Sequence, residues 1–204
     1  MKTKLFLLFT CCCSFFIVSH AFAQKDFIET LKGDTIRGKL RNGFVMGTGP
    51  ADELKFKKLE DSKFVTIKTD TLKSYFRSAD SALFVLMKMP YAEEARLVKK
   101  LENGRIELFE DYSASSGAVS ATGIYSARGT ISTWYARLDG GQLLEIKTND
   151  TAISGSKREQ REKNLYGLLA DDQQLLDKFK KRSFSFDNIR DCIKKYNSLH
   201  RAKK

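Results

Sequence analysis

The chain has 204 residues, of which 42% are hydrophobic and 11% aromatic. This length suits one ordinary domain or two small ones. The 15 Phe and 7 Tyr side chains, with only 2 Pro, exclude a chain that is disordered throughout, because such chains lack large apolar groups to bury. The 36 Lys and Arg outnumber the 25 Asp and Glu and give a formal charge of +11, which favours anionic partners.

Residues 1–23 have the composition of an export signal. Two lysines precede an apolar stretch over residues 5–18, which is too short to cross a bilayer comfortably. Small side chains at Ala21 and Ala23 fit a signal peptidase, so we expect cleavage before Gln24. An uncleaved anchor and lipid attachment at one of the three cysteines of this stretch are the alternatives. The sequence therefore predicts an exported protein, periplasmic or secreted.

Removal of the leader takes away two of the lysines and three of the 4 cysteines, which leaves a formal charge of +9 and Cys192 as the one remaining thiol. No disulfide can then form within the mature chain. We expect Cys192 to be a small buried residue on an apolar helix face rather than a catalytic nucleophile.

Residues 24–155 predict an antiparallel β domain, because apolar and polar residues alternate between turn signals. Strands are expected over residues 27–31, 35–41, 54–57, 65–70, 72–77, 82–89, 91–101, 105–110, 131–138 and 142–147. Residues 91–101 also fit a helical stripe, but the Asn103-Gly104 pair that follows favours a strand. Both residues of this pair tolerate the positive φ of a type I′ hairpin turn. The stretch Asp139-Gly140-Gly141 predicts a hairpin of the same kind, and residues 113–122 predict a loop.

From residue 156 the pattern becomes helical and basic. Ser156 with Glu159 predicts a capping box, and we expect Asp171 and Ser185 to cap a second and a third helix. Residues 157–204 carry 14 basic and 7 acidic side chains. Residues 156–204 therefore predict a basic helical segment packed on the β domain. The expected fold is α+β and mainly β, an antiparallel meander, open or barrel-like, followed by about three C-terminal helices.

Four stretches of the chain carry a resemblance to a known family. They are 27–38 (FIETLKGDTIRG), 103–109 (NGRIELF), 168–171 (LLAD) and 193–197 (IKKYN). On these stretches the chain resembles a family of small exported proteins of unknown function of the type common in Bacteroidota-type bacteria. The resemblance covers most of the mature chain and implies an envelope location and a β-rich body with a helical tail. It implies no activity and supplies no catalytic residues.

The mature chain offers little for catalysis. Its one histidine, His200, lies close to the terminus, which argues against a Ser-His-Asp triad and against a zinc cluster. We expect no cofactor, no metal and no catalytic activity. Glu107, Glu110 and Asp111 are the remaining candidates for acid/base chemistry, but on a strand Glu107 points away from Glu110.

Six basic residues of the helical segment form a candidate anion-binding set. They are Lys178, Lys180, Lys181, Arg182, Lys194 and Lys195. One interpretation is that they form the solvated face of amphipathic helices and complement a helix C-terminus. The other is that they attract lipid headgroups, lipopolysaccharide phosphates or acidic polysaccharides. Nucleic acid is not expected, because no ordered basic-aromatic spacing is present.

Trp134 and Tyr135 are the candidate contacts for a partner. They are neighbours on a predicted strand and so face opposite ways, which leads us to expect one in the core and the other exposed, free to contact a sugar or a partner protein. The predicted function is an exported cell-envelope binding or accessory protein without catalytic activity. A carboxylate-based glycan hydrolase and a structural partner of an outer-membrane protein are the alternatives.

Overall fold

The structure, a computed structural model, describes residues 25–41, 44–45, 49–50, 52–114, 129–150 and 157–200. The predicted leader, Ser156 of the capping box and all but the first two residues of the predicted loop over 113–122 lie outside these residues. Those first two, Ser113 and Ala114, belong to a strand.

Twelve strands precede three α-helices in the described part of the chain. The strands are β1 (Asp26–Thr30), β2 (Thr35–Arg41), β3 (Phe44–Val45), β4 (Gly49–Pro50), β5 (Glu53–Lys58), β6 (Val65–Lys68), β7 (Leu72–Arg77), β8 (Ala82–Lys88), β9 (Ala95–Glu102), β10 (Ile106–Ala114), β11 (Thr130–Leu138) and β12 (Leu144–Thr148). The helices are α1 (Arg158–Leu168), α2 (Gln173–Lys180) and α3 (Phe186–Leu199). The strand interpretation of the ambiguous stretch before Asn103 is confirmed, because it contains β9.

Ten of these strands form one antiparallel sheet. Their order is β12-β11-β10-β9-β8-β7-β1-β2-β5-β6, while β3 and β4 pair with each other. The large sheet is open, since β12 and β6 are its two edges. The predicted fold, an antiparallel and mainly β body with three C-terminal helices, is confirmed.

The three helices cover one face of the sheet at β10–β12. The buried residues between them form one cluster, which we call the helix-side core. Its members are Ile106, Leu108, Trp134, Ala136, Ile146, Leu165, Leu168, Leu169, Leu175, Leu176, Phe179, Ile189, Cys192, Ile193 and Tyr196. Burial of each large side chain contributes about 1.5–3 kcal/mol. Cys192 is a buried residue of this core, as predicted.

At its other end the sheet curls over its own face. Leu54 on β5, Phe84 on β8 and Leu97 on β9 share one buried cluster, although five neighbouring pairs separate β5 from β9 in the sheet order. The curl brings the one-turn 3₁₀ helix Thr69–Thr71 against β9. It also leaves a cleft along this side of the molecule.

The two predicted hairpin turns differ in conformation. Asp139 (φ 49°) and Gly140 (φ 74°) both have positive φ, and the amide of Gly141 donates to the carbonyl of Leu138 over 2.9 Å, as the sequence predicts. The hairpin at Asn103-Gly104 also forms, but neither residue has positive φ. The predicted turn type is therefore wrong there, because three residues rather than two connect β9 to β10.

The helix starts match the prediction in one case and not in another. Ser185 accepts a hydrogen bond from the amide of Asn188 at the start of α3, as predicted. The cap of α2 is Asp172, whose side chain accepts from the amide of Leu175 over 3.0 Å. The prediction that Asp171 caps this helix is wrong, because Asp171 lies one residue too early in the chain. Its carboxylate instead accepts a hydrogen bond from the hydroxyl of Tyr196.

Candidate functional site

The structure divides the six basic residues predicted to bind an anion into two groups. Four of them line one cavity of about 300 Å³ between α2 and α3: Lys178, Lys181, Arg182 and Lys195. We call this cavity the helical pocket. The other two point elsewhere, since Lys180 lies over the ring of Tyr166 at 5.4 Å and Lys194 faces Glu102 of β9 at 3.8 Å.

The helical pocket follows from the amphipathic character of its two helices. Leu175 and Phe179 lie one turn apart on the apolar side of α2 and are buried. Cys192 lies on the buried side of α3. These three apolar residues also line the pocket. Lys178 of α2, Lys195 of α3 and the two basic residues that follow α2 therefore lie around the cavity.

The charge of the helical pocket is strongly positive. Asp191 is the one acid among its lining residues. No acid of the described chain forms an ion pair within 4.0 Å with any of the four cations, whereas Lys194 faces Glu102 and Lys180 lies over the ring of Tyr166. Burial raises the pKa of the Cys192 thiol to about 11, so the thiol remains uncharged at neutral pH and adds no negative charge.

A second concave surface lies where the curl brings β5 and β6 against β8 and β9. This cleft has a volume of about 580 Å³. Four acidic residues line it: Asp52, Glu53, Asp70 and Glu94. All four are exposed, unlike the general acid of a glycosidase, which characteristically lies in an apolar environment. Lys68 and Arg96 also line the cleft, so its charge is mixed.

Glu107 and Glu110, the acids singled out in the sequence, lie on opposite faces of β10, as predicted. Glu107 accepts from Lys100 and Arg137, each over 2.6 Å. Partial burial favours its protonated form, but these two hydrogen bonds hold the pKa of Glu107 below its ordinary value. Glu110 accepts from Trp134 on the helix-side face. The two carboxylates therefore stabilise different faces of the sheet and do not form a catalytic pair.

Asp111 is a buried carboxyl on the same face as Glu107. One of its oxygens accepts a hydrogen bond from the hydroxyl of Tyr91, and the other lies 3.3 Å from Nε of Arg96. Burial raises the pKa of Asp111 above its ordinary value, against the opposing effects of Tyr91 and Arg96. Because Asp111 does not line the cleft, its visible role is to hold the loop before β9 on the sheet.

Trp134 and Tyr135 do not provide an exposed aromatic contact. They do lie on opposite faces of β11, as predicted, but only 6% and 4% of their surfaces are exposed. Trp134 packs edge-on against Phe186 of α3, with ring centroids 4.7 Å apart. Tyr135 lies on the other face, beside the ring of Tyr91. The predicted exposure is therefore wrong, because the helices cover one face of β11 and the loop before β9 covers the other.

Three further basic residues meet at a cavity that the sequence analysis missed. Lys147 of β12 and Arg158 and Arg161 of α1 line the same cavity. In the sequence they appear as scattered charges on a predicted strand and a predicted helix. Only the packing of α1 against β12 brings them together, and no local pattern signals that packing.

Comparison of the chain with protein-family models, with curated proteins and with solved structures finds no match. Within the described ranges, no group of three or more His, Cys, Asp and Glu side chains could hold a metal ion. None of the helices described is long and apolar enough to span a bilayer.

Proposed function

We propose that this protein is an exported, non-catalytic component of the cell envelope that binds anionic lipid headgroups through the helical pocket. The observation that carries the proposal is the convergence of four cations, from α2, the two residues that follow it and α3, on one cavity with an apolar floor. The composition of residues 1–23 supports export, as does the resemblance to an exported family.

The helical pocket combines the two properties that a phosphate-bearing headgroup requires. Lysine and arginine near an anionic surface each contribute about 1 kcal/mol of attraction. Leu175, Phe179 and Cys192 provide an apolar surface for the carbon atoms next to the phosphate. Lys178 also lies in the last turn of α2, where its charge complements the helix dipole, so the same residue stabilises the helix.

The proposal is tested with vesicles and a matched pair of double variants. The pocket variant is Lys181→Glu with Lys195→Glu, and the control is Lys180→Glu with Lys194→Glu. The two variants change the same number of charges at adjacent positions of the same two segments, but only the first changes residues that line the helical pocket. Co-sedimentation is measured with phosphatidylglycerol vesicles and with phosphatidylcholine vesicles at low salt.

We expect the wild-type protein and the control variant to sediment with the anionic vesicles only. Reversal of two charges near the surface costs at least about 2 kcal/mol, so binding of the pocket variant should fall about thirty-fold. Binding should also weaken as salt is raised, because exposed charges are screened. An equal loss in both variants would mean that only net charge matters and would refute a specific pocket.

Export is tested on the protein recovered from cells. We expect the envelope fraction to contain a chain that begins at Gln24, as determined by N-terminal sequencing. Recovery of the chain from the cytosol with Met1 in place would contradict this part of the proposal.

A carboxylate-based glycan hydrolase is the second candidate function. The cleft favours it, because an open cavity of about 580 Å³ lined by four acidic residues could accommodate a sugar chain between carboxylates. Release of reducing ends from envelope polysaccharide by the purified protein, and its loss in Asp70→Asn or Glu94→Gln, would support this function. An absence of turnover would eliminate it.

A further inference from the structure

The cavity that brings Lys147, Arg158 and Arg161 together has a volume of about 560 Å³. It lies where α1 packs on β12, and the segment leading into α3 closes it with Ser183, Phe184 and Ser185. No Asp or Glu is among its lining residues in the part of the chain that the structure describes. It is separate from the helical pocket, with which it shares no lining residue.

Each of the three cations also contacts a neighbouring group of the protein. Nζ of Lys147 donates to the carbonyl oxygen of Phe184 over 2.7 Å and lies 5.0 Å from the centroid of that ring. Arg161 has only 5% of its side chain exposed and is paired with Glu145. Arg158 pairs with Glu162 over 2.9 Å, and 68% of its side chain is exposed. Neither glutamate lines the cavity.

The arrangement leaves like charges close together. Partial burial, and then the positive charges of Arg158 and Arg161, lower the pKa of Lys147 against the opposing charge of Glu162. A positively charged Lys147 is therefore held at a cost that a negative group in the cavity would relieve. The hydroxyls of Ser183 and Ser185 add polar groups to the wall.

We propose that this cavity is a binding site for a phosphate group, either as free phosphate or as a phosphomonoester. Arginine presents several N–H donors in a planar arrangement that matches phosphate oxygens, and lysine adds a compact charge. Because Arg158 and Arg161 each also pair with a glutamate, they contribute hydrogen-bond donors more than net charge to this site. The proposal does not depend on lipid binding at the helical pocket.

The test measures phosphate binding by the full chain with isothermal titration calorimetry at constant ionic strength. Inorganic phosphate and glycerol 3-phosphate are the two probes, and they distinguish the free ion from the ester. Arg158→Gln and Lys147→Met each remove one cation of the cavity. Lys163→Gln is the matched control, because Lys163 is an exposed cation on the same helix that does not line the cavity.

We expect saturable binding of at least one probe to the wild-type protein and to Lys163→Gln. The affinity should fall about ten-fold in Arg158→Gln and in Lys147→Met, as expected for the loss of one charge-assisted hydrogen bond. In ¹⁵N-resolved spectra, the titration should shift the amides of Asn149 and Ser185. Circular dichroism and the thermal midpoint verify that the variants are folded.

Three results would overturn the proposal. They are an absence of saturable binding, an equal loss of affinity in Lys163→Gln, and a loss of affinity in the double variant Lys181→Glu with Lys195→Glu while Arg158→Gln binds normally. The last result would place phosphate in the helical pocket. It would leave the proposed function intact, so the two proposals can fail separately.

Discussion

The side-chain amide of Asn197 pairs with both backbone polar groups of Ile106. The amide N–H of Ile106 donates to Oδ1 of Asn197 over 2.9 Å, and Nδ2 of Asn197 donates to the carbonyl of Ile106 over 2.8 Å. At the start of β10, the side chain of Asn197 thus makes the two backbone hydrogen bonds that a residue of a neighbouring strand would make. Gly104 makes this approach possible, because a Cβ at Gly104 would lie 2.4 Å from Cγ of Asn197.

We predict that Gly104→Ala and Asn197→Ala each lower the free energy of unfolding by about 1–3 kcal/mol, since either change leaves the buried polar groups of Ile106 without their partner. Urea denaturation measures this loss. The double variant should lose less than the sum of the two single losses, because both changes remove one and the same contact.

Gly167→Ala is the matched control: a Cβ at Gly167 meets no atom within 4 Å, so alanine there should raise stability by up to about 1 kcal/mol. Additive losses would contradict the coupling.

The hydrogen bonds of Asp26 lead us to predict that the folded protein loses stability in acid. Burial alone would raise the pKa of Asp26, but hydrogen bonds from Ser78 and from the amide of Leu40 hold it below its ordinary value of 3.8. A carboxyl with a lowered pKa in the folded state stabilises the protein above the pKa of the unfolded chain, and this contribution disappears as the pH falls through the folded-state pKa.

Denaturation measured between pH 2 and pH 7 should therefore show that Asp26→Asn is less stable than the wild type near neutrality, and that the difference shrinks on acidification. Asp34→Asn, at an exposed turn position, should parallel the wild type throughout. A constant difference between Asp26→Asn and the wild type at all pH values would contradict the prediction.

The two adjacent acids before α2 are predicted to act differently. Asp172→Ala should cost about 1 kcal/mol through loss of the helix cap. Asp171→Ala should instead be coupled to Tyr196→Phe, because the Tyr196 hydroxyl donates to Asp171. Thermal or urea unfolding measures the coupling energy in two double-mutant cycles, one that combines Asp171→Ala with Tyr196→Phe and one that combines Asp172→Ala with Tyr196→Phe. Strong coupling of Asp172 with Tyr196 and none of Asp171 would reverse the assignment.

Cys192 is predicted to be unreactive while the protein is folded. Its thiol is buried in the helix-side core, and burial raises its pKa to about 11, so little thiolate forms at pH 7.5. Labelling by a thiol reagent, followed by mass spectrometry of the peptide that contains Cys192, should be slow in buffer and fast in denaturant. Rapid labelling of the folded protein would show that this part of α3 is open to solvent.

The sequence predicted what is local and missed what depends on packing. Alternation and turn residues gave the strands and the type I′ turn at Asp139-Gly140, because both depend on neighbouring residues. At Asn103-Gly104 the same signal predicted the hairpin correctly but not its conformation. There the glycine accommodates Asn197 of the last helix, a contact that no pattern near residue 104 could reveal.

The candidate sites show the same limit. Alternation placed Trp134 and Tyr135 on opposite faces of a strand, but whether a face is covered depends on other elements. Composition identified the basic helical segment, yet only the packing of α2 on α3 separates Lys181, which lines the helical pocket, from Lys180, which does not. The sequence did not predict the cavity at Lys147, because its cations come from two different elements.

The helix-side core also determines when the protein can fold during its synthesis. Strands β10–β12 bury their apolar face against Ile189, Ile193 and Tyr196, which follow these strands in the chain. Until they emerge, Leu108, Trp134 and their neighbours have no surface to pack against. A nascent chain from which α3 has not yet emerged therefore cannot complete this half of its structure.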